Sequence, residues 1–128
     1  MSKFLKFIFI LVFVFSSSLH PFAQFTNEEI AEMDEWEEYL KTAEIAGHEQ
    51  MQSREAVTNP YILQLEKNGV ARQAIWKNPE GRMRGYLEGW KWEIAAYRLN
   101  RYLGLNMVPP TVEKRFQEDR GSCQLWVD

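Results

Sequence analysis

The sequence predicts an α+β domain: a small antiparallel sheet with a helix packed on it, preceded by an amphipathic helix and a signal peptide. Three observations carry that prediction. Residues 61–77 read as two strands joined by Asn68-Gly69, and Asn-Gly is the pair a type I′ hairpin prefers, because both central residues need positive φ. Helical periodicity marks two stretches, one opening near Glu28 and one from about Tyr86 to Leu103. The order helix, irregular stretch, strand, strand, helix, strand, strand lacks the strict βαβ alternation of a parallel sheet. A length of 128 residues suits one domain.

The first 23 residues differ from the rest. They hold six of the eight Phe, two Lys and no acid, so residues 24–128 carry 13 basic and 18 acidic side chains and all five Trp and five Tyr. That remainder has the large side chains of a packed core, which excludes disorder. Its acidic balance argues against a general nucleic-acid surface, and the single Cys123 excludes a disulfide scaffold. Lys3 and Lys6, the apolar run Phe7–Phe15, and Ser16-Ser17-Ser18 with Phe22-Ala23 follow the order of a secretory signal. Nine residues rise only about 13 Å as a helix, against a bilayer core of roughly 30 Å. The reading is therefore a signal peptide over 1–23 and an exported domain over 24–128, periplasmic or extracellular. Cleavage after Ser18 or after Ala23 stays open, and an uncleaved anchor is the alternative.

Taking the elements in order, Thr26 and Glu29 form a capping box, with Phe25 and Ile30 as a hydrophobic staple. Ile30, Met33, Trp36, Leu40 and Ala43 then recur at helical spacing, ending near Lys41 or at Gly47, while Glu29, Glu32, Asp34, Glu37 and Glu38 form a solvated acidic face. From Ala46 to Asn59 no period is visible. In the hairpin, Tyr61, Leu63 and Leu65 share one face, and Ile75 with Lys77 lies opposite Ala74 and Trp76. Asn78-Pro79-Glu80-Gly81 stops the second strand. The second helix ends at Gly104 and reads as largely buried, with Lys91, Arg98 and Arg101 as a narrow wet stripe. Val108-Pro109-Pro110 leads into a strand over Thr111–Phe116, and a turn over 117–121 into a last strand over Ser122–Val127.

Two charges fall where the pattern would not put them. Lys77 closes a strand with its stem along the sheet, and Glu93 points to the apolar side of the helix. A half-buried carboxylate needs a cation or several donors. Lys77 is one candidate; Arg98 and Tyr97 are the others. If Lys77 is the partner, the two charges should lie within about 4 Å, and Glu93 should be more buried than Lys91, Arg98 and Arg101.

The words around these charges are Lys77-Asn78-Pro79-Glu80-Gly81, the run Glu93-Ile94-Ala95-Ala96-Tyr97-Arg98-Leu99, then Leu103-Gly104-Leu105 and Val108-Pro109-Pro110-Thr111-Val112-Glu113, and last Gly121 to Val127. Over about residues 36–127 they resemble the N-terminal lobe of bacterial atypical kinase-like proteins, the group of phosphoinositide-kinase-like, HipA-like and secretory casein-kinase-like folds. The resemblance implies a nucleotide site for ATP. Lys77 would be the phosphate-binding strand lysine and Glu93 its helix partner. Val57 and Thr58 would lie in the loop covering the phosphates, and Gln124 and Trp126 on the strand toward the adenine. Glu55-Ala56 stands where that loop usually has glycine. Such folds place the catalytic and metal-binding acids in a second lobe, so Mg is implied only with that lobe. The 24–128 chain alone, read as an incomplete N-lobe with no catalytic residue of its own, is expected to lack phosphotransferase activity. Expected partners are a nucleotide and a C-terminal lobe or partner protein, without nucleic acid and without membrane once the signal is removed. The competing reading is a non-catalytic exported interaction domain using the sheet and the Trp90/Trp92 helix.

Overall fold

The computed structural model describes residues 25–52, 58–83 and 85–127. The signal-peptide reading of 1–23 lies outside them. The fold is α+β. Helix α1 (Asn27–Thr42) precedes strands β1 (Glu44–Gln50), β2 (Tyr61–Lys67) and β3 (Val70–Lys77). A short hairpin of β4 (Glu80–Met83) and β5 (Tyr86–Gly89) leads into α2 (Trp90–Tyr102), and β6 (Thr111–Phe116) and β7 (Asp119–Leu125) complete the chain. Five strands form an antiparallel sheet in the order β1-β2-β3-β7-β6, while β4 and β5 pair separately.

The β2–β3 turn is the one the sequence predicts: Asn68 and Gly69 have φ of 52° and 76°, and Lys67 pairs with Val70. The β6–β7 turn is equally tight, with Gln117 at φ 56° and Phe116 paired with Asp119. Thr26 caps α1 as expected: its hydroxyl accepts from the Glu29 amide, and the Glu29 carboxylate accepts from the Thr26 amide at 2.7 Å.

Helix α1 closes one face of the sheet. Tyr39, Leu40 and Ala43 pack onto Leu63, Leu65, Ala74, Trp76, Val112, Phe116, Cys123 and Leu125, with Trp36, Ile45 and Tyr61 around them. Polar ties fix that contact. The Tyr39 hydroxyl sits 2.9 and 2.8 Å from the Leu65 and Val70 carbonyls. Lys114 is buried on the same face, and its ammonium donates to the Leu40 and Ala43 carbonyls at 2.7 and 2.8 Å. These are carbonyls at the C-terminal end of a helix, left without intrahelical partners, and a cation there also meets the negative end of the helix dipole. None of the buried residues of α2 joins this cluster. Helix α2 packs on β6 and β7 from the opposite face.

Three sequence expectations need correction. Strand β1 occupies the start of the stretch from Ala46 to Asn59 that was read as irregular, and its register shifts between Ile45 and Gly47; that bulge breaks the alternation that would have marked it. Tyr86–Gly89 is strand β5, not the start of the second helix. Gly85 at φ 87° makes the β4–β5 turn, and Gly89 is extended at φ −161°, so the helix begins at Trp90. Helix α2 is not largely buried either. Only Trp90, Ile94, Tyr97 and Asn100 are buried, because one side of α2 meets the sheet and nothing in the described chain covers the other.

Candidate functional site

Strand alternation sets the stage. On β3, Trp76 and Ala74 point into the α1-covered core, so Ile75 and Lys77 point to the other face. Register pairing extends that face. Ile62 lies opposite Ile75, Gln64 opposite Gln73, Gln124 opposite Ile75, and Ser122 opposite Lys77. Helix α2 crosses only the β6–β7 end of it and there brings Glu93 over Lys77.

The two charges meet. Lys77 Nζ donates to Glu93 Oε1 at 2.9 Å, with the side chains 26% and 31% exposed. The other carboxylate oxygen accepts from the Ser122 hydroxyl at 3.1 Å. Ser122 Oγ also lies 3.4 Å from the Lys77 carbonyl, but it has one proton, and the carboxylate is the closer and stronger acceptor. Glu93 is thus held from both sides: it aligns the ammonium without using all three of that group's donors. Ser122 is the residue the sequence reading missed. Its signal was its place in register beside Lys77, visible only once β3 and β7 are paired. Gly121, its neighbour, is required by close packing, since a Cβ there would run into the Lys77 carbonyl and lie 2.7 Å from the Trp76 ring.

Helix α2 is anchored to α1 by a cluster of its own. The Tyr97 hydroxyl donates to Glu37 at 2.7 Å, and Arg101 reaches Asp34 at 3.0 Å and Glu37 at 3.5 Å. Burial, and then donation to the Glu37 carboxylate, push the Tyr97 hydroxyl up to about 12. Two expectations change here. Glu37, assigned by the sequence to a solvated face, is a half-buried helix-to-helix tie, while Asp34 pairs with Arg101 and stays 82% exposed. Glu93 is more buried than exposed Lys91 and Arg98, but not than Arg101, whose side chain is 30% exposed because these acids draw it inward.

The other residues chosen from sequence are spread more widely. Val57 lies outside the described residues. Thr58 is half-buried in the β1–β2 connection and makes no hydrogen bond to Lys77 or Glu93. Gln124 lies on the Lys77 face, two positions from Ser122, and donates to Thr111 Oγ1 at 3.0 Å, leaving its carbonyl oxygen as an acceptor. Trp126 continues beyond β7, its amide bonded to the Gln73 carbonyl, beside a shallow depression of about 250 Å³ lined also by Gln64 and Gln73. Of the helix tryptophans, Trp92 is exposed but Trp90 is buried and has no open surface to offer.

A wider groove of about 550 Å³ lies between α1 and the β2–β3 turn, along Trp36, Tyr39 and Lys67. It is on the α1 side and does not include the ion pair. At Lys77 a cation fixed by Glu93 and Ser122 lies on the same sheet face as the Ile75 and Ile62 side chains, where α2 covers only the β6–β7 end among the described residues. Such a set fits a ligand with an anionic end and a flat apolar body. No family model, no curated protein and no solved structure compared with this chain matches it.

Proposed function

We propose that the chain is a nucleotide-binding lobe of the atypical kinase-like type, with ATP as its ligand. The observation that carries the reading is the Lys77–Glu93 pair at 2.9 Å, steadied by Ser122 and facing an uncovered sheet surface. A strand lysine held by a helix glutamate is how kinase-like folds grip ATP phosphates. In this chain Lys77 would meet the phosphate oxygens while Glu93 keeps its ammonium aimed. Ile75, two residues before Lys77 on the same face, and Ile62 across from it would lie under the base, with Gln124 and Trp126 toward its edge. ATP would contribute the phosphate charge that Lys77 neutralises.

The reading is of binding, without turnover by this chain alone. Calorimetric titration with ATP tests it. Saturable binding that weakens at least about tenfold in Lys77→Ala is expected, a loss in the range of a hydrogen bond to a charged group. Binding unaffected by Lys77→Ala, or no binding by a folded chain, would sink it.

A further inference from the structure

Helix α2 turns Trp90, Ile94, Tyr97 and Asn100 inward, and at 100° per residue the opposite arc holds Trp92, Ala95, Ala96, Leu99, Tyr102 and Leu103. All six are exposed, Trp92 by 52% and Tyr102 by 87%. Leu105 and Met107, just past the end of the helix, are exposed as well, with their amides bonded to Asn100. No charged residue lies on the arc. Lys91 and Arg98 border it, seven residues apart, and neither has a carboxylate partner among the described residues. The nearby acids are engaged elsewhere: Glu93 with Lys77, and Glu113 with Arg120 at 3.2 Å.

We propose that this face docks on an anionic phospholipid surface, with Trp92, Leu99, Tyr102 and Leu103 entering the headgroup boundary and Lys91 and Arg98 meeting lipid phosphates. Contiguous exposed apolar surface marks an interaction site. Trp and Tyr beside aliphatic side chains, bordered by cations, is the composition that lies in a membrane interface. The outward side of a single helix is convex, which suits a fluid headgroup layer better than a protein partner that needs pockets for its anchoring residues.

A second observation concerns where the described chain begins. The Phe25 amide donates to the Asn106 carbonyl at 2.9 Å, which puts the first described residue next to the segment that carries exposed Leu105 and Met107. The apolar run Phe7–Phe15 ends ten residues before Phe25, a stretch that reaches at most about 35 Å. Kept as the uncleaved anchor that the sequence leaves open, the run would be tethered within that reach of Phe25. The proposal departs from the expectation of a domain without membrane contact once the signal is removed.

The test uses the full chain with a nitrobenzoxadiazole fluorophore on Leu103→Cys and, as control, on Val70→Cys, which lies beside Tyr39 toward the other end of α1. Native Cys123 is fully buried, so label goes to the introduced thiol. On phosphatidylcholine vesicles containing phosphatidylglycerol, the 103 probe should shift to shorter wavelength and the 70 probe should not. The shift should be smaller on phosphatidylcholine alone, and Lys91→Gln with Arg98→Gln should remove that difference. Four results would each overturn the proposal: no shift at 103, an equal shift at 70, equal shifts on both vesicle types, or a shift without vesicles, which would mean that the face pairs with a second copy or another protein.

Discussion

On one face of the sheet Leu63, Leu65, Ala74, Trp76, Cys123 and Leu125 disappear beneath α1; on the other the same strands present Gln64, Gln73, Ile75, Lys77 and Gln124, and α2 covers only one end. The covered face spends even its buried cation on structure, since Lys114 satisfies helix carbonyls. The open face keeps a cation partly wet and braced, an arrangement that adds little to stability because solvent screens a half-exposed pair. The packed core and the braced cation are thus divided between the two sides of three strands, and substitutions on the two sides should behave differently.

The largest effect belongs to the covered face. Trp76→Ala removes an indole that packs against Tyr61 and Phe116 and donates to the Lys114 carbonyl, and should cost about 3–5 kcal/mol in urea unfolding. Lys114→Ala comes next, at about 2–3 kcal/mol, because it leaves two buried carbonyls unsatisfied; circular dichroism should show the loss concentrated in helix content. Across the sheet, Lys77→Ala and Glu93→Ala should each cost no more than about 1 kcal/mol, the range of partly exposed ion pairs. A double-mutant cycle should still show coupling between them, the second loss being smaller once the first partner is gone.

A pH-dependent effect sharpens the role of the α1–α2 link. Because the Tyr97 hydroxyl is raised from 10 to about 12 in the fold, the folded state holds that proton more tightly than the unfolded chain. Its contribution is complete below pH 10 and disappears between about pH 10 and 12. Unfolding midpoints followed through this window should fall less steeply in Tyr97→Phe than in the parent chain. Parallel curves would mean that the hydroxyl of Tyr97 does not tie the helices.

The covered face was the legible one. Alternation at Tyr61, Leu63 and Leu65, the Asn68-Gly69 turn and the Thr26–Glu29 capping box each impose a local physical constraint, and all appear where the sequence places them. That Glu93 has a partner was legible too, since a carboxylate on an apolar helix side demands one, though the residues left Lys77, Arg98 and Tyr97 open. What escaped depends on contacts distant in sequence. Ser122 lies 29 residues from Glu93 and Glu37 lies 60 from Tyr97; no local period announces either. Helix α2 misled for a different reason. Apolar residues run almost around it, and periodicity alone does not say which side meets the sheet. Strand β1 was hidden by its bulge and its polar composition.

The central claim, that the open face binds a nucleotide through Lys77, is tested most directly by differential lysine acetylation read by mass spectrometry. With ATP present, Lys77 should be modified more slowly while exposed Lys91 keeps its rate, and adenosine, which lacks phosphate, should protect Lys77 far less. Equal rates for Lys77 with and without ATP, under conditions where the chain remains folded, would contradict the account.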